Sequence, residues 1–146
     1  GRHRPSHSSR ARRAATLTAF LDTSVLIRHL TGDPPEVAIR ATAAVAEAEQ
    51  LLLTDSVLAE CVYVLESFYE VERPRVAELM RSAIAFGSIE TVDTPVLPAG
   101  LEVYELERVD FPEAYLVAQA EATGAREIVS FDRSIDRIKT VARREP

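Results

Sequence analysis

The chain has one cysteine, one methionine, one lysine (Lys139) and no tryptophan among its 146 residues. A lone Cys61 cannot close an internal disulfide, and no His or Cys cluster has zinc-site spacing. These absences exclude a disulfide-stapled or zinc-built scaffold and lead us to expect a reducing, cytoplasmic compartment. No apolar run approaches about 18 residues, so a membrane-spanning helix is not expected. Acidic residues are missing ahead of Asp22, whereas Arg2, Arg4, Arg10, Arg12 and Arg13 all precede it. Past residue 21 the remaining 12 basic residues face all 23 acidic ones, a net of −11 for the body against −6 for the whole chain. Such a body repels phosphate backbones, so a nucleic-acid role requires something that screens its carboxylates.

What is present is an ordinary globular composition, 47% hydrophobic and 27% charged, sufficient at this length for one domain around one core. Residues 1–15 show no hydrophobic periodicity and begin with Gly instead of Met. They are expected to lie outside the fold, as a basic disordered tail or the remnant of a tag, leaving a single domain over 16–146. Short apolar runs at Thr16–Leu21, Leu51–Thr54, Ile89–Val92 and Ile128–Ser130 read as buried strands, with a marginal edge strand at Thr140–Ala142. Between them, helical spacing or helix-forming composition marks Ser24–Leu30, Glu36–Gln50, Ser56–Glu70, Arg73–Phe86, a helix opening at Asp93-Thr94-Pro95 and running to about Glu107, and Pro112–Thr123. One further helical turn is expected at Ser134–Ile138. Strands alternating with helices of this length predict an α/β fold, a three-layer sandwich with a mainly parallel sheet.

In such sheets ligands bind beyond the carboxyl ends of the strands, and acids stand there. Asp22 follows the first strand and Asp132 lies two residues past Ser130. Glu60 sits early in the helix after the second strand, with Tyr63 and Val64 rather than cations one turn on. Glu113 opens a helix whose next seven residues carry no charge. Each acid has a structural alternative: Asp22 as a helix cap, Glu60 as a solvated charge, Asp110 and Glu113 as a capping box, Asp132 as a turn residue. Taken together, unpartnered acids on one rim repel one another, and a hard divalent cation resolves the conflict. The set contains no His or Cys, which points to Mg2+ or Mn2+ and to water activated for attack on phosphorus. Thr23, Ser24 and Ser130 are placed to satisfy backbone groups or to hold a phosphate or water. Cys61 lies on the apolar stripe of its helix and reads as core.

The succession Phe20-Leu21-Asp22-Thr23-Ser24, Leu58-Ala59-Glu60, Asp110-Phe111-Pro112-Glu113-Ala114 and Val129-Ser130-Phe131-Asp132 resembles a PIN domain, specifically the VapC toxin group of bacterial toxin-antitoxin pairs. The resemblance spans roughly residues 16–142. It implies strand order 3-2-1-4-5 and a Mg2+- or Mn2+-dependent endoribonuclease. Asp22, Glu60, Glu113 and Asp132 would form its acidic cluster, with Asp22, Asp132 and Glu113 on the metal and Ser24, Ser130 and Asp110 in support. A VapB-like antitoxin and a homodimer are implied as well. The chain departs from the pattern at the third acid, where Glu113 stands in place of an Asp before Ala, and Asp110 is close enough to compensate. Two other readings remain open from the residues alone. One is a non-enzymatic module whose acidic rim binds a basic protein segment. The other is a phosphoacceptor receiver domain, which lacks here a lysine following a late strand.

Overall fold

In the computed structural model the described residues are 18–92 and 95–146. Five strands and six helices alternate along them, with a 3-10 turn near the end. They are β1 (Thr18–Phe20), α1 (Thr23–Thr31), α2 (Pro35–Glu47), β2 (Gln50–Leu53), α3 (Asp55–Ser67), α4 (Arg73–Ala85), β3 (Ile89–Thr91), α5 (Val96–Glu107), α6 (Phe111–Thr123), β4 (Glu127–Val129), the turn Arg133–Arg137, and β5 (Ala142–Arg144). The starts of five of these helices are chemically marked. Asp22 caps α1, and the Thr54 hydroxyl accepts from the Val57 amide at 3.1 Å to cap α3. Proline occupies the first turn of α2, α4 and α6, where its missing N–H costs nothing. Gly32 and Gly124 close α1 and α6 in the left-handed conformation that a Cβ would disfavour.

All strand pairs are parallel. β1, β2 and β3 form one ladder in register Ala19↔Leu51↔Ile89, and β4 pairs with β5 through Ile128↔Arg143. The two ladders, flanked by helices in an α/β fold, are consistent with the 3-2-1 and 4-5 portions of the expected order, but among the described residues no β1–β4 ladder joins them, so the one sheet expected is resolved as two. The core gathers Leu53 from β2, Leu58 and Leu65 from α3, Met80 from α4, and Leu97, Leu101 and Tyr104 from α5. α5 and α6 pack closest: a Cβ added at Gly100 would stand 3.4 Å from the Tyr115 Cα.

Several expectations shift, among them the end of the helix expected over Glu36–Gln50, which stops at Glu47 because Gln50 opens β2. β1 and β4 are not buried along their length: Leu21 and Ile128 face the core, whereas Phe20 is 70% and Val129 54% exposed. Among the described residues each of these strands has one ladder partner, so part of its surface remains uncovered. β5 lies at Ala142–Arg144 instead of Thr140–Ala142, because Arg143 and Arg144 are neutralised there. Arg143 Nε donates to Asp136 Oδ1 at 2.9 Å, and Arg144 pairs with Glu127. Thr54, expected to end β2, is the α3 cap. Residues 1–17, with the tail and the start of the first strand, lie outside the described residues, as do Asp93 and Thr94.

Packing sets a first test. Leu53→Ala is expected to cost about 2–5 kcal/mol in urea unfolding, while Phe20→Ala costs less than about 1 kcal/mol because little apolar area leaves the core.

Candidate functional site

Two groups of acids form at the carboxyl ends of the strands. The first begins where β1 gives way to α1. Asp22 has extended backbone, and its Oδ2 accepts from the Ser24 amide at 3.1 Å and from the Ser24 Oγ at 2.6 Å. The Ser24 hydroxyl, and then its amide, hold the Asp22 carboxyl below its ordinary value. Thr23 is buried, and its Oγ1 donates to Glu60 Oε2 at 3.0 Å, tying the first turn of α1 to α3. The apolar stripe of α3 directs Leu58, Cys61 and Val62 inward and leaves Glu60 on the exposed side. The buried Cys61 thiol is pushed up to about 12 by burial and then by the Glu60 charge, so it is no nucleophile at neutral pH.

The second group is built by the turn from α5 into α6. Arg108 adopts the left-handed conformation at φ 54° and ends α5. Asp110 occupies the cap position of α6 but makes no side-chain cap bond, so the capping-box alternative for Asp110 and Glu113 is not realised. Glu113 is half-buried, and its Oε2 is the one buried side-chain polar atom among the described residues without a hydrogen-bond partner. Burial first, the Asp110 charge second and Asp132 to a lesser degree raise the Glu113 carboxyl above its ordinary value. Asp132 caps the 3-10 turn, its Oδ1 accepting from the Ser134 amide at 2.9 Å, and hydrogen bonding from Ser134 holds its carboxyl low. Ser130 Oγ accepts from the Asp132 amide at 2.9 Å and so shapes the loop carrying that acid. The nearby Arg137 contributes least to Asp132 and donates to the Arg108 carbonyl at 3.2 Å.

Arg73, at the start of α4, pins this second group from behind. Its Nη1 donates to the carbonyls of Tyr104 at 2.9 Å and Val109 at 2.7 Å, and its guanidinium stands 4.4 Å from the Tyr104 ring centre. The Tyr104 hydroxyl in turn donates to Glu66. Nothing in the sequence linked residue 73 to residues 104 and 109, because the contact is tertiary; the only local signal was an arginine at a helix start. Between α3 and α6 lies a cavity of about 350 Å3, bounded on one side by Ala59, Val62, Tyr63, Glu66 and Ser67 and on the other by Asp110 to Glu113. The α3 residues recur at helical spacing, so one stripe of that helix forms a wall.

The acids are therefore not delivered as a single closed cage. Thr23 links Asp22 with Glu60, and Glu113 has Asp110 and Asp132 as charged neighbours, but no group of three or more His, Cys, Asp or Glu among the described residues is assembled to hold a metal. The donor chemistry nonetheless fits a hard divalent ion. It offers carboxylate and hydroxyl oxygens without His or Cys, and one desolvated carboxyl oxygen lacks a partner.

Comparison with known proteins follows the same segment. Residues 19–141 match the family described as PIN domain. A relative, the VapC ribonuclease of Aquifex aeolicus (strain VF5), is 26% identical over 127 residues, covering 84% of this chain and 94% of that protein. Among the described residues no helix is long and apolar enough to cross a membrane.

The raised Glu113 carboxyl carries a signed consequence. A folded-state value above the unfolded one means that stability from this group is complete below about pH 4.5 and is lost as pH rises through the raised value. Glu113→Gln should therefore raise the urea midpoint at pH 8, with a gain in unfolding free energy under about 1 kcal/mol because solvent reaches part of the site. The gain should disappear below pH 4.5. An equal or lower midpoint at pH 8 would remove the strained-carboxyl reading.

Proposed function

Because the chain belongs to the PIN-domain family, we propose that it is a Mg2+- or Mn2+-dependent endoribonuclease acting as the toxin of a toxin-antitoxin pair. The observation that carries this reading is the Glu113 carboxyl oxygen, buried without a partner beside two further acids in the family-matched segment. An unsatisfied buried carboxyl oxygen costs stability, and a cation at that point would offset the cost. The similarity to a relative named as a VapC ribonuclease supports RNA as the substrate class.

In this reading Asp22, Asp132 and Glu113 hold the ion and Glu60 completes the site directly or through water, with Asp110 near Glu113. The bound ion would neutralise phosphate charge and lower the pKa of a water for attack on phosphorus. The chain's own contribution is orientation. Ser24 fixes Asp22, Thr23 fixes Glu60, and Ser130 with Ser134 fixes the Asp132 loop. Asp22 and Asp132, held low by these hydroxyls and amides, remain ionised at neutral pH and accept charge without prior proton loss. Glu113, whose carboxyl is raised by burial and by the Asp110 charge, is the acid whose ionised form an arriving cation would favour most.

The partner assignments are a VapB-like antitoxin and a second copy of the chain. Glu66, Asp110 and Glu113 around the α3–α6 cavity suit a basic side chain, and Ile39 and Phe68, 71% and 74% exposed, offer apolar area for contact.

Asn preserves helix capping while removing charge, so Asp22→Asn and Asp132→Asn separate catalysis from folding. Each should lower Mg2+-dependent cleavage of cellular RNA about 100-fold or more, and Thr23→Val, which releases Glu60, about 10-fold. Unchanged cleavage in both Asp variants would refute the mechanism. Calorimetry without divalent binding at millimolar levels, together with tight binding of a basic peptide, would favour the non-enzymatic acidic module.

A further inference from the structure

Within the acidic body, one cavity between α1 and α2 has arginines and no acid in its lining. This cavity, of about 420 Å3, is lined by Ser24 and Arg28 of α1 and Arg40 of α2, with valine and alanine filling the rest of its wall. Arg40 is exposed and has no ion-pair partner among the described residues, whereas Arg75, Arg81, Arg143 and Arg144 each pair with an acid. Arg28 is held over the first turn of its helix, Nη1 donating to the Ser24 carbonyl at 3.1 Å. Ser24 is also the residue whose Oγ donates to Asp22 at 2.6 Å, so the cavity adjoins the first acidic group.

An RNA strand crossing the acidic rim meets repulsion everywhere that cation binding does not cancel it, and it needs fixed positive charge beside the cleavage point. We propose that the α1–α2 cavity is a subsite for single-stranded RNA, with Arg28 and Arg40 gripping a phosphodiester that flanks the one placed at Asp22. Guanidinium forks match phosphate oxygens in two-point contacts, and the valine and alanine wall suits the face of a ribose. The inference rests on the nuclease reading and adds to it the track along which substrate enters.

The test measures binding of a short single-stranded RNA in EDTA, where metal-assisted turnover does not compete, by fluorescence anisotropy across about 50 to 200 mM salt. Arg40→Gln should weaken binding several-fold and reduce the log–log salt slope by about 0.7, and the Arg28→Gln/Arg40→Gln pair should reduce it by about 1.4. Arg40→Lys should restore most of the slope, and Arg75→Gln, at an exposed α4 site already paired with Glu78, should leave it unchanged. Equal slopes for wild type and Arg40→Gln, an equal loss with Arg75→Gln, or tighter Arg40-dependent binding of a polyglutamate peptide than of RNA would each overturn the subsite. If the wild type cleaves RNA while the slope is unaffected, only the subsite falls. If the wild type neither binds nor cleaves RNA, the nuclease reading falls with it.

Discussion

A carboxylate needs donors, a counter-charge or water around it, and that requirement organises the strand-end rim of this protein, where Asp22, Glu60, Asp110 and Asp132 are exposed and Glu113 is half-buried. Asp22 and Asp132 meet it by capping the helical turns that follow their strands, taking hydroxyl and amide donors from Ser24 and Ser134. Glu60 meets it through the buried Thr23 hydroxyl. Glu113 alone is left with an unsatisfied oxygen, and its charge is further opposed by Asp110. Helix starts thus serve twice here: they follow the strand ends directly, and they present acids of which one is left undercompensated.

The geometry around Glu113 depends on a cation that never reaches the rim. By holding the carbonyls of Tyr104 and Val109, Arg73 joins α4 to both sides of the turn between α5 and α6. Left-handed Arg108 lies in this turn, between the two anchored carbonyls, and Asp110 and Glu113 follow directly after it. Stacking on Tyr104 places the guanidinium against an aromatic face as well as on two acceptors, a combination that lysine would not reproduce.

Much of this was legible along the chain because local chemistry was consistent with the fold. Alternating apolar runs located the strands, and the stripe of Leu58, Cys61, Val62 and Leu65 oriented α3 correctly. Asp22, Glu60, Asp110, Glu113 and Asp132 announced themselves by position relative to strand ends and helix starts. What stayed hidden was tertiary. The β5 register depends on where Arg143 and Arg144 find acids, and a run of two arginines does not read as a strand. The exposure of Phe20 depends on which strands pair, the Arg73 anchor on carbonyls some 30 residues away in sequence, and the division of the acids into two groups on Thr23, whose role needs Glu60 in view.

Cys61 stands next to Glu60, fully shielded, with its thiol displaced to about 12. As the sole sulfhydryl of the chain it has a further property. In the closed molecule it is almost entirely un-ionised and sterically withheld from alkylating or oxidising reagents. Its rate of chemical labelling therefore counts how often α3 lifts away from the core, giving the protein a native clock for breathing motions directly behind the acidic rim.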